Sequence, residues 1–229
     1  MIFAIITVVL AVTIYLPQLW VKTVMRRHSV ERVDLSGTGG ELAKHLLQRF
    51  ELDGVSLEKT DPGRDHYDPQ SRTVRLSPAN FDGKSLTAVA VATHEVGHAI
   101  QFHRAERVSQ LRARYLPLAM FLKRIGLFVM MAMPVLAIVL RAPPLILTIV
   151  AVSVIFQVLG ALAYLIILPE EWDASFHKAL PILIEGNYID DNDLEAVTSV
   201  LRAAALTYFA AALAEILNIG RWLMLILRR

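Results

Sequence analysis

Two histidines and a glutamate are set out as His94-Glu95-Val96-Gly97-His98, inside a run at 86–102 that reads as helix. On an α-helix residues i and i+4 share one face, so both imidazoles reach a single metal ion. Glu95, one residue past the first histidine, is then placed to hold a water beside that metal. Two ligands and a base on one rigid element suit hydrolysis of a peptide bond at zinc. The 229 residues include no cysteine, which excludes disulfides, thiolate zinc sites and cysteine nucleophiles. Any zinc must be held by histidine and carboxylate.

A catalytic zinc site takes three protein ligands and keeps one position open. In thermolysin-like arrangements the third ligand is a carboxylate from a later helix, and here the downstream acids are few. Glu170-Glu171-Trp172-Asp173-Ala174-Ser175 follows directly on a long apolar stretch. Among its acids Glu170, Glu171 and Asp173 are equivalent on physical grounds, and His103, Glu106 and His177 compete with them. His103 lies nine residues past His94, near the opposite side of the helix.

The elements that must position these groups include membrane helices. The chain is 55% hydrophobic, and its mean hydropathy of +0.49 is too high for an ordinary soluble domain. Residues 2–20 carry no charge and are long enough to cross the hydrocarbon core, without the basic start and cleavage site of a signal peptide. A second uncharged stretch, 142–169, spans with tilt. Between them 125–140 is shorter and broken by Pro134, and Arg141-Ala142-Pro143-Pro144 reads as the turn of a membrane hairpin. A final candidate, 203–227, contains Glu215 and Arg221 and either spans or lies in the interface. Lys22, Arg26, Arg27 and Arg32 on one side, with Arg112, Arg114, Lys123 and Arg124 on the other, place 21–124 in the cytoplasm by the positive-inside rule. Two spans separate His98 from Glu171, so both face the same compartment. The net charge of +2 gives no case for nucleic acid.

The polar segment contains a loop, Ser36-Gly37-Thr38-Gly39-Gly40, leading into a helix at 41–51. No strand precedes its glycines and no G-K-S/T follows, so it is a helix start and not a phosphate cradle. Residues 55–59 alternate as a short strand, and 65–69 with 73–77 read as two strands around a Pro-Gln-Ser turn. An edge strand beside the metal helix would hydrogen-bond an extended peptide. Ser85 or Thr87 caps the metal helix.

The combination DHYDP (65–69), TVRLS (73–77), AVAVATHEVGHAIQ (88–101), a helical hairpin, LPEEWDAS (168–175) and LRAAALTYFAAAL (201–213) resembles the YugP-like neutral zinc metallopeptidases, a family of bacterial membrane proteins. The similarity covers essentially the whole chain. It implies Glu171 as the third ligand beside His94 and His98, with Glu95 as general base and one Zn²⁺ per chain. More distantly the plan is similar to the HtpX and CAAX-protease membrane peptidases, where a Glu three residues before an Ala-Asp pair binds zinc. Here Ser175 follows Ala174, so the carboxylate of those relatives is missing at that position. Ser175, Asp173 or Asp68 is left to orient a zinc-bound histidine, and His66, Tyr67, His177 or Arg75 to stabilise the oxyanion.

The expected fold is a mainly α-helical membrane protein of about four transmembrane helices, with a small α+β zincin-type aqueous domain carrying the metal helix and a β-hairpin. Its expected segments are an anchor (1–21), the aqueous domain (22–124), a transmembrane hairpin (125–168), a third-ligand segment (169–202) and a C-terminal transmembrane or interfacial helix (203–229). The expected activity is zinc-dependent endopeptidase action on peptide or protein substrates, some of them membrane-bound, at the cytoplasmic face of a bacterial inner membrane. Two other classes are compatible with the residues: a metal-stabilised scaffold or chaperone, and a zinc hydrolase of a non-peptide substrate.

Overall fold

The computed structural model describes residues 2–140, 142–210 and 212. The fold is mostly helical with one small sheet. In chain order it runs α1 (Ile2–Arg27), α2 (Gly39–Arg49), β1 (Ser56–Lys59), β2 (His66–Asp68), β3 (Thr73–Leu76), α3 (Pro78–Phe81), α4 (Leu86–His103), α5 (Arg107–Leu140) and α6 (Pro143–Trp172). A π-helical turn (Asp173–Ala179), α7 (Leu180–Glu185) and α8 (Leu194–Ala205) follow. The predicted C-terminal helix falls largely outside the described residues, as do Arg141, Glu215 and Arg221.

The chain divides into two compact units. The first takes the described residues within Met1–Pro17, Leu111–Ile167 and Tyr208–Arg229. It contains most of α5 and α6. Large apolar side chains such as Phe128 (74%), Met131 (70%), Val139 (71%) and Leu147 (60%) stand exposed on them, a surface that soluble monomers rarely present. Among the described residues two stretches are long and apolar enough to cross a membrane, Arg107–Met133 and Pro144–Glu185. The two helices approach closely where Gly126 meets Ser153, since a Cβ there would lie 2.8 Å from the Ser153 carbonyl oxygen. Pro134 does not break the first of them: α5 continues to Leu140 and starts as early as Arg107. A proline removes one backbone donor, a loss that membrane helices tolerate.

The second unit, Gln18–Gln110 with Leu168–Thr207, carries every residue of the candidate site. Its centre is α4, buried at every residue from Leu86 to Gln101. The run of Ala and Val before the motif has this physical cause, because small apolar residues let α2, α8 and the π-helical turn pack all round it. Ser85 caps α4 by accepting from Ala88 N, while Thr87 donates to the Met25 carbonyl instead and ties α4 to the end of α1. At the start of α2, Thr38 and Glu41 form a reciprocal capping box. The sheet has the order β1-β3-β2, with β3 pairing β1 in parallel and β2 antiparallel. The predicted hairpin is therefore present, and β2 is an edge strand.

Candidate metal centre

His94 and His98 project from one face of α4, and the C-terminal end of α6 brings Glu171 to them. His94 Nε2 lies 3.2 Å from Glu171 Oε2 and 3.2 Å from His98 Nε2, and His98 Nε2 lies 3.3 Å from the same Glu171 oxygen. All three side chains are buried, at 4%, 4% and 1% exposure. A metal at about 2.0–2.1 Å from each of three tetrahedral ligands would hold them roughly 3.3 Å apart. The triangle formed by these three atoms has that size. Nitrogen, nitrogen and carboxylate oxygen also make up a donor set that zinc accepts.

The close approach of the two segments depends on Gly97. A Cβ at that position would lie 2.9 Å from the Ala174 carbonyl oxygen and 3.3 Å from Lys178 Cβ. Any side chain there would push the Glu171 segment away from the histidines. Between Glu171 and α7 the backbone widens into the π-helical turn, a feature often found at functional sites.

The partners of each imidazole set its orientation. Ser175 Oγ sits 3.0 Å from His94 Nδ1 and donates its own hydrogen to the Leu201 carbonyl at 3.1 Å. With its one O–H so used, Ser175 accepts from His94 Nδ1–H, and Nε2 is the nitrogen turned toward Glu171. His98 Nδ1 lies 3.0 Å from Gln101 Oε1.

Glu95 is 7% exposed. Burial pushes its carboxyl above the ordinary range; the imidazoles of His94 and His98 oppose this, while Glu171 and Asp65 add to it. Burial alone would lower the His98 imidazole, but the charge and hydrogen bond of Glu171 outweigh it and raise His98 to about 9.

The other expected site residues are distributed more widely. Glu170 is fully buried, with Oε1 3.8 Å from His98 Nδ1, outside the triangle. Asp173 accepts from Gln101, Lys178 and His177. His177 is otherwise exposed, with 67% of its side chain in solvent, and Glu106 pairs with Lys178. His66 donates from Nδ1 to the Arg64 carbonyl. Tyr67 is buried against the Phe102 ring of α4. Asp68 does not reach an imidazole as an orienting group: it accepts from Arg75, Ser71 and the Gln70 amide and so braces the hairpin turn. That use follows from its place at the last position of β2, where an Asp satisfies the turn that succeeds it. Arg75 is held in turn by Asp68 and Glu58. Gln101 and Gly97 were not foreseen. The available signals were a polar residue three positions past His98, on the same helical face, and a glycine inside the motif.

Comparison with known proteins agrees with this geometry. The profile of the family described as "Putative neutral zinc metallopeptidase" matches residues 2–227. A relative from Bacillus subtilis (strain 168), named "Putative membrane protease YugP", is 31% identical over 99% of this chain and 97% of its own. No solved structure matches. The chain belongs to the neutral zinc metallopeptidase family.

Proposed function

We propose that this member of the family is a membrane-embedded zinc metalloendopeptidase, with one zinc held by His94, His98 and Glu171. The observation that carries the reading is the buried triangle of two Nε2 atoms and one carboxylate oxygen, with sides of 3.2, 3.2 and 3.3 Å. When bound there, zinc supplies Lewis acidity toward a carbonyl and lowers the pKa of water. Glu95, next to His94 on α4, takes a proton from the attacking water and delivers it to the leaving amine as the C–N bond breaks. Its raised pKa supports that exchange, since a carboxyl pushed upward holds a proton long enough to pass it on. Ser175 keeps His94 Nδ1 protonated and the ring aligned.

The edge strand β2 offers unpaired backbone groups for an extended peptide. His66 and Tyr67, on that strand, are candidates to meet the carbonyl oxygen, and Tyr67 is fixed against α4 through Phe102. Glu171 follows the apolar part of α6 directly, so the site belongs at a bilayer edge where membrane-bound substrates are available. With about four spans read from the apolar stretches of the sequence, the distribution of Lys and Arg favours this site on the cytoplasmic face of a bacterial inner membrane. The Bacillus subtilis relative is named as a membrane protease, which supports membrane association.

Substitution Glu95→Gln tests the scheme. The variant retains zinc, because Glu95 is no ligand, and loses hydrolysis of a casein-type substrate by about a hundredfold or more. Full hydrolysis by that variant refutes the scheme.

A further inference from the structure

We infer that Gln101 and Asp173 form a hydrogen-bond relay that fixes which nitrogen of His98 is free for metal. The inference rests on the zinc reading above. Gln101 is fully buried, so the polar atoms of its amide depend on protein partners. Its Nε2 has two hydrogens to give. One goes to the Glu170 carbonyl oxygen at 3.0 Å, the other to Asp173 Oδ2 at 2.7 Å. A peptide carbonyl never donates. The Asp173 oxygen is also claimed by Lys178 Nζ at 2.9 Å, so it too only accepts. The amide nitrogen is therefore locked on that side.

Oε1 is left facing His98 Nδ1 at 3.0 Å. An amide oxygen only accepts, so Nδ1 carries a hydrogen and Nε2 is the nitrogen left to a metal between Glu171 and His94. A reversed amide would set N–H against N–H at His98 and oxygen against oxygen at both Glu170 and Asp173. The charged end of the relay is anchored as well. Lys178 reaches Glu106 at 3.0 Å, and Asp173 takes a third donor, His177 Nδ1, at 3.1 Å on its other oxygen. The direction of the bonds is thus set outside the metal pocket and transmitted to it by one amide. Gln101 touches neither metal nor substrate; it is a positioning residue, and Asp173 positions Gln101.

Zinc affinity measured by competition with a chromophoric chelator tests this on the purified full chain in detergent. The comparison is wild type, Gln101→Met and Gln101→Ala. Methionine keeps the length and apolar fit but removes the acceptor, while alanine removes both. The relay predicts that Gln101→Met loses about 10–100-fold in affinity, as much as Gln101→Ala does. A role in packing alone predicts that the near-isosteric Met stays close to wild type and only Ala falls. Gln101→Met binding zinc as wild type does overturns the relay. Asp173→Ala supplies a further variant at the edge of the core, where folding is not at stake. It is expected to lose several-fold, and unchanged affinity overturns the relay as well. A wild-type protein that takes up no zinc overturns the zinc reading and the relay together, and shows this before any variant is compared.

Discussion

Gly97→Ala is the smallest change that should open the metal centre from a distance. The added methyl would lie 2.9 Å from the Ala174 carbonyl oxygen, where roughly 3.4 Å is needed, and 3.3 Å from Lys178 Cβ. The main obstacle is backbone, not the end of a flexible side chain, so the segment carrying Ala174 must retreat by about 0.5 Å. Ala174 lies three residues past Glu171, and the retreat carries Oε2 away from the two Nε2 atoms. Overpacking of this kind costs about 1–3 kcal/mol, which lowers the unfolding temperature by about 2–12 °C for a chain of this size. Zinc sites tolerate only about 0.2 Å in ligand distance, so affinity should fall by about tenfold or more. Scanning calorimetry of the metal-free protein and chelator competition on the same preparation read the two effects. An unfolding temperature and a zinc affinity both equal to wild type would refute the role given to this glycine.

Other perturbations test separate parts of the account. Ser175→Ala removes the acceptor for His94 Nδ1–H and leaves the Leu201 carbonyl without that donor; zinc affinity should drop about 10–100-fold with the helical circular dichroism unchanged. The Asp68 carboxyl is held well below the usual range by its hydrogen bonds to Arg75 and Ser71, and Asp34 is lowered to about 2 by its hydrogen bond to Arg32. A depressed carboxylate contributes stability above its unfolded pKa of about 3.9, and loses it as pH falls toward the folded value. The contribution of these two carboxylates to the denaturant midpoint should thus be level above about pH 5 and decline below about pH 4. Asp68→Asn should lower the midpoint at neutral pH and narrow the gap between neutral and acid.

Much of the site was legible because its chemistry is local. His94 and His98 are four apart on a helix, and the small apolar residues before them announce that the helix is central. The hairpin of β2 and β3 was readable from alternation on either side of a Pro-Gln-Ser turn, and the structure adds the parallel pairing of β1 with β3. The proposed third ligand is not readable from residue types. Glu170 and Glu171 are both acids, both buried, and adjacent; only the helical register presents one to the histidines and turns the other aside. Ahead of α7 that register is shifted by the π-helical turn, for which Asp173-Ala174-Ser175 carries no signature. Family resemblance supplied the choice of Glu171 that spacing left open. Gln101 escaped notice because a glutamine near a helix end is ordinarily solvated, and its importance arises only from full burial between Glu170, Asp173 and His98. The continuity of α5 through Pro134 is hidden for a related reason: a proline reads as a break in isolation, while a long apolar helix tolerates it.

X-ray absorption at the zinc edge of the purified full-length protein tests the central claim most directly. The account predicts one zinc per chain with two imidazole nitrogens and carboxylate oxygen at about 2.0–2.1 Å, and no scattering at the roughly 2.3 Å of a thiolate. Glu171→Ala should lose the stoichiometric metal. A protein that binds no stoichiometric zinc, or whose zinc has an all-oxygen shell without imidazole, would contradict it.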